Sequence, residues 1–369
     1  MGEQEATGQE EIWKNAKTVA AALGLVPPSF STGIRLLVAD ELKNNGVLSP
    51  VAKYQVGRLF NTPSFKSLLY YAAKELRDWE FEGKKALKIG QIMNWFSPLD
   101  LAAIIASFVY YRKCRRLLGD EKWKYIEENF SRTFLLSGHL GTAIPDIGTG
   151  LGLILGGIRF FGLGALNLKA AEEFKHYRRE LKKKGITYDL VLEHQIFSCS
   201  SIEVGVFLLS SIGFGVEIGN SFARAFDPTT TLSHATHEVP YRMKIGKVWI
   251  DALESNLRQP SCPIPGHYYP LSEAFVRLEG KLRSLSSGSP HFLSRDKEDL
   301  GPEKTPELFA KSSEKSEVPA QLDNIFTEDE IEGMQDAELD KLMDQMDNEL
   351  AKNDKTHSEA ALNKDIEEL

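Results

Sequence analysis

The stretch IGTGLGLILGGIRFFGLGALNL, Ile147 to Leu168, decides how this 369-residue chain folds. It carries seven glycines, large apolar residues between them and one charge, Arg159, near its midpoint. Its length meets the roughly 20 residues that cross a hydrocarbon core. A central arginine, however, costs about 2.5 to 3.5 kcal/mol even on lenient insertion scales, and glycines add little apolar area. The stretch therefore reads as a helix buried in protein, its glycines permitting close backbone approach. A phosphate-binding loop is excluded, because GTGLGLILGG lacks the Lys-Ser/Thr pair and follows no strand. No cofactor motif is present elsewhere.

Outward from this stretch the pattern stays helical. Toward the N-terminus, Ile12, Trp13, Ala16, Val19, Ala20 and Leu23 recur at helical spacing ahead of Gly24. Ile34 to Asn44 follows, and Ser49-Pro50, Thr62-Pro63 and Ser97-Pro98 each mark a helix start, since proline in the first turn gives up an N–H that has no helical partner. Further helices are expected over Leu99 to Val109, Lys122 to Leu136, Ala170 to Lys184, Leu190 to Phe197, Ile202 to Ile212 and, as the last of the core, Lys244 to Leu257. No segment of the first 280 residues alternates with a period of two, so the fold class is all-α: a multi-helix body with an N-terminal helical subdomain over 1–125 and a second over 126–283.

Beyond it, SLSSGSP and KSSEKSEVP mark 284–319 as a disordered linker, because few large apolar residues offset the entropy of ordering. From Ala320 onward 16 acidic and 4 basic side chains make an acidic tail, leaving residues 1–319 with 40 basic against 36 acidic groups. Within the tail, Thr327 and Glu330 form a capping box, Phe326 and Ile331 its staple, and Leu339, Leu342, Met343, Met346 and Leu350 continue one apolar stripe. Such a helix gains little alone and is expected to dock on a partner or on the body.

Candidate chemistry is sparse. Cys114, Cys199 and Cys262 are too scattered for a disulfide framework or a zinc knuckle, and the polar, acidic N-terminus has no secretory pattern, so a cytoplasmic protein with reduced thiols is expected. His234, His237 and Glu238 could share a metal on a helix, but nothing completes a coordination sphere, and an exposed helix start is the simpler reading. Two basic runs interleaved with tyrosine are candidate binding residues: Arg112, Arg115 and Arg116, and Arg178, Arg179, Lys182 and Lys183. They could neutralise phosphates, meet an acidic protein surface or the chain's own tail, or form solvated faces; the solvated face is preferred, and nucleic acid is disfavoured.

Taken together, LILGGIRFFGLGAL and EHQIFSCSSIEVGVFLLSSIGFG resemble the HDOD family, the HD-related output domains of bacterial signalling proteins. Gly156, Ile158, Gly162, Ala165 and Leu166 keep the family's framework in the first segment; Glu193, Glu203, Val204, Gly205, Leu208, Leu209 and Gly213 keep it in the second, and Asp227-Pro228 closes the next helix. The resemblance covers about residues 26–257. Where related phosphohydrolases carry a metal-binding His-Asp pair, this chain has Arg159 and Phe160, and the later histidine positions fall on Ser201 and on Arg224, Ala225 and Phe226. Arginine and phenylalanine cannot ligate a divalent cation.

The resemblance implies a protein without catalytic residues, metal or cofactor: a signalling scaffold that binds protein partners through its helical domain and acidic tail. Two alternatives stand beside it, a membrane-associated protein using 147–168 and a regulator taking a phosphorylated ligand or nucleic acid on its basic clusters. Because an unpaired interior guanidinium is costly, Arg159 is expected to meet a buried carboxylate, Glu203 or Asp146.

Overall fold

The computed structural model describes residues 2–82, 88–230 and 238–295, and in them the chain forms helices and no strand. The expected all-α architecture is present. In order, the α-helices are α1 (Gly2–Ala20), α2 (Pro28–Lys43), α3 (Pro50–Asn61), α4 (Pro63–Leu76), α5 (Ile89–Met93), α6 (Pro98–Leu118), α7 (Asp120–Ala143), α8 (Thr149–Lys169), α9 (Ala171–Lys184), α10 (Leu190–Phe197), α11 (Ser201–Ile212), α12 (Gly215–Phe226), α13 (Val239–Glu254) and α14 (Ser272–Ser284). The proline start signals hold: Pro50 and Pro98 open helices whose preceding serines accept from Ala52 N and Asp100 N. Gly185 and Gly213, both at positive φ, end α9 and α11.

The central stretch is α8, buried from Thr149 to Asn167. Its glycines explain how a helix can be surrounded so completely. A Cβ on Gly150 would stand 2.6 Å from the Leu99 carbonyl oxygen of α6. Gly152 lies against the Ser137 backbone of α7, Gly156 against the Ser137 side chain, and Gly162 against the Ser201 backbone of α11, all closer than a side chain allows. Gly164 makes room for Cys114 and Trp123. Each glycine gives up helix propensity, roughly 1 kcal/mol relative to alanine, and in exchange the neighbouring backbones pack directly on α8. Thr149–Lys169 is long and apolar enough to cross a membrane, and 94% of that window is buried inside the protein.

The N-terminal and central helices share one core. Trp13 of α1 meets Phe207 of α11 edge-on at 5.9 Å, α2 packs on α6, and the buried apolar cluster runs from Ala16 to Leu293. The boundary expected at residue 125 falls inside α7, so the helix runs unbroken across it.

Two further expectations are corrected. The core helix expected at 244–257 starts earlier, as α13 at Val239, and is not the last: α14 follows, packed on α7 and tied to Asp78 by Lys281 at 3.0 Å. The linker does not begin at Ser284. Ser287 Oγ donates to the Glu128 carbonyl at 2.8 Å, Gly288 N to the same oxygen at 3.1 Å, and His291, Phe292 and Leu293 are buried. The His291 ring stands edge-on to Tyr111 at 5.0 Å and to Phe130 at 5.2 Å. The polar composition of SLSSGSP concealed an apolar anchor, Phe292-Leu293, just after it. The remainder of the expected linker, His234 and His237, and the tail residues Phe326, Ile331, Leu339, Leu342, Met343, Met346 and Leu350 lie outside the described residues.

Candidate functional site

Some of the positions singled out by resemblance meet beside α8, and others do not. Arg159 and Phe160 sit at its middle, 7% and 3% exposed. Two aromatic rings approach the guanidinium: Arg159 Cζ lies 4.4 Å from the Phe160 centroid and 4.5 Å from that of Tyr188, in the turn between α9 and α10. Lys247 of α13, also 7% exposed, approaches the same Tyr188 ring at 5.6 Å and Phe226 of α12 at 4.9 Å. Its ammonium donates to Tyr188 Oη at 3.2 Å and pairs with Asp251 one turn along α13. Arg159, Phe160 and Phe226 are thus brought together, with Tyr188 and Lys247 completing a stack of two cations and three rings. Cation–π contacts of this kind contribute about 0.5 to 2 kcal/mol each.

Ser201 opens α11 against Gly162, one turn beyond Arg159 on the same face of α8. Its amide donates to Glu193 at 2.6 Å, and Tyr177 Oη donates to the other Glu193 oxygen at 2.7 Å. Burial, with the Glu193 carboxylate beside it, pushes the Tyr177 hydroxyl pKa up, while the positive charge of Arg159 opposes the rise. Ala225 is buried on α12, whereas Arg224 is exposed on the far side of that helix and takes no part.

The carboxylate expected for Arg159 is not there. Glu203 accepts from Ser200 N at 2.6 Å and pairs with His194 at 3.0 Å, capping α11; that pairing raises the His194 pKa and lowers that of Glu203. Asp146 offers its main-chain oxygen to Arg242 Nε at 2.7 Å. Among the described residues Arg159 makes no hydrogen bond or ion pair; its Nη1 is buried without an acceptor, and so is Ser201 Oγ without a partner. The reason is topological. Glu203 is drawn to the helix terminus it caps, and the rings of Phe160 and Tyr188 pack against the guanidinium in place of a carboxylate.

The two basic runs each touch the first turns of α7. Arg112 lies over Phe108 at 4.9 Å, and Arg115 Nε donates to Asp120 at 2.8 Å. On α9, Arg178 stacks 3.2 Å from the centroid of Tyr125 of α7. Arg116, Arg179, Lys182 and Lys183 are exposed, with Lys183 held by Glu180 at 2.7 Å. Several of these charges are already neutralised by neighbours, and exposed pairs contribute little to stability.

No protein-family model, curated protein or solved structure matches this chain. Among the described residues no group of three or more His, Cys, Asp or Glu side chains could hold a metal ion. The sequence reading missed Tyr188 and Lys247, and placed Tyr177 only within a basic run. One signal was available for Lys247: it stands amid Ile245, Val248, Trp249 and Ile250, on a stretch whose other positions are apolar.

Proposed function

We propose that the chain is a non-enzymatic, cytoplasmic scaffold of the HDOD type, which binds protein partners in bacterial signalling through its helical body and its acidic tail. One observation carries this reading. Where the resemblance would put a His-Asp metal pair, Arg159 and Phe160 stand in an aromatic stack whose second cation is Lys247. A fixed guanidinium at that point repels a divalent cation and offers no lone pair to bind it. The burial of α8 among its neighbours also favours a protein-filled interior over contact of 147–168 with lipid.

For the tail, charge supplies the support. The cations of α6 and α9 flank the N-terminal end of α7, and the 50 residues from Ala320 carry a net of −12. That end is where an acidic segment, the chain's own or a partner's, gains most.

Two measurements test the proposal. Purified protein incubated with manganese or iron should retain no stoichiometric metal and should not hydrolyse a phosphodiester; metal retention with turnover overturns the non-enzymatic reading. Affinity capture with full-length protein and with a form truncated before Ala320 should recover different partners or the same partner with different salt sensitivity. Identical behaviour of the two forms overturns the role of the tail.

A further inference from the structure

The interior of the stack holds an imbalance. Arg159 brings a full positive charge to a 7% exposed position, and its Nη1 finds no acceptor. The Glu193 carboxylate is fully buried and already accepts from Tyr177 on one oxygen and from the Ser201 amide on the other. Asp251 is engaged by Lys247. Ser201 Oγ, completely buried, is a second polar atom without a partner, on the same face of α8 as Arg159. A buried charge removed from water costs several kcal/mol unless a counter-charge and hydrogen bonds compensate. A guanidinium presents its N–H groups in a planar fork that matches the two oxygens of a carboxylate or phosphate.

We propose that Arg159 is the anchor of a binding site for a small oxyanion, the phosphate or carboxylate group of a low-molecular-weight ligand, with Lys247 as the second cation and Ser201 Oγ as a hydroxyl partner. Tyr188 is the movable element. It is half-buried, it touches both cations, and it belongs to a turn whose preceding residues, Gly185 to Thr187, are exposed. A rotation of that ring away from Arg159 exposes the guanidinium edge without disturbing a helix. The site is distinct from the exposed basic clusters of α6 and α9, and it does not depend on the scaffold reading, since a ligand can be held with or without a protein partner.

The test uses full-length protein and inorganic phosphate, with sodium acetate as the carboxylate probe and sodium chloride matched for ionic strength. Thermal unfolding should shift upward with phosphate or acetate beyond the chloride control, by several °C near saturation, and calorimetric titration should return one site. Arg159→Met, close in volume but uncharged, should lose the anion-dependent shift and weaken binding by ~10-fold or more, the loss expected for a charge-assisted hydrogen bond. If that variant does not fold, Lys247→Met replaces it and should weaken binding in the same direction. Ser201→Ala gives a smaller loss. The relative shifts tell phosphate from carboxylate. No shift beyond chloride in the wild-type protein, as when water alone satisfies Arg159, overturns the proposal. So does a shift of equal size in the variants, which would place anion binding on the exposed clusters.

Discussion

Substituting alanine for Gly150 and, separately, for Gly57 isolates the packing role of the α8 glycines. Both are helical, and on propensity alone each change stabilises by up to about 1 kcal/mol. Their surroundings differ. Around Gly57 nothing stands within 4 Å of a new Cβ, whereas at Gly150 it would meet Leu99 O at 2.6 Å, Leu99 C at 2.7 Å and Asp100 N at 2.9 Å. All three are backbone atoms of α6, so no side-chain rotation relieves the clash; α6 and α8 must part by several tenths of an ångström. Overpacking of this kind costs about 1 to 3 kcal/mol. Parting also loosens a buried network in which Asp100 accepts from Gly150 N at 2.6 Å while Arg77 donates to Thr149 at 3.0 Å, adding about 1 to 2 kcal/mol. The net for Gly150→Ala is a loss of about 3 kcal/mol, a fall in Tm of roughly 6–12 °C for a body of this size. Gly57→Ala should raise Tm by about 1–3 °C. Circular dichroism melts of the two variants beside wild type provide the measurement. A Gly150→Ala protein as stable as wild type refutes the backbone-contact argument, and destabilisation by Gly57→Ala would show that propensity and space do not govern these sites.

Further outcomes follow from the same structure. A chain ending after Arg295 should melt close to full length, whereas one ending after Leu285 loses the burial of Phe292 and Leu293, about 3 to 6 kcal/mol, and should unfold at much lower denaturant; equal midpoints would show the 286–295 segment to be dispensable. Of the three thiols, half-exposed Cys262 should react with a disulfide reagent at pH 8, while Cys114 and Cys199 stay protected, both buried and the latter pushed up to about 12 by burial, until the protein is unfolded. For the His194–Glu203 pair, the raised histidine pKa means its stabilisation is complete below the unfolded value and is lost as pH rises through the folded one; the lowered Glu203 pKa means that contribution is present above its unfolded value and is lost as pH falls through the folded one. The pair is therefore strongest between those two folded pKa values. Proton NMR of His194 should titrate above about 6.5, and Glu203→Gln should bring the midpoint down; an unchanged midpoint rules out the pairing.

Local signals in the sequence translated well where physics is local. Ser49-Pro50 and Ser97-Pro98 cap and start helices as their chemistry requires, and Gly185 and Gly213 stop them. The glycine density of 147–168 reported close approach, although not which neighbours approach. What could not be read was non-local. Arg159 is flanked by Tyr188, and Lys247 joins them from 88 positions away, so no window of the chain contains the stack. Glu203 looked available to Arg159 until the fold assigned it to the α11 cap. In the same way, the segment around Ser284–Pro290 reads as polar linker because its anchoring residues lie immediately beyond it and pack among α4, α6 and α7, more than 150 positions earlier.

Backbone-to-backbone packing has a mechanical consequence for α8. Flexible side chains between two helices act as cushions, and a displacement of one is absorbed before it reaches the next. At three points against α6, α7 and α11 this helix has none, because Gly150, Gly152 and Gly162 press directly on Leu99, Ser137 and Ser201. At those points a displacement of α8 meets no cushion and passes directly to the backbone of the neighbouring helix.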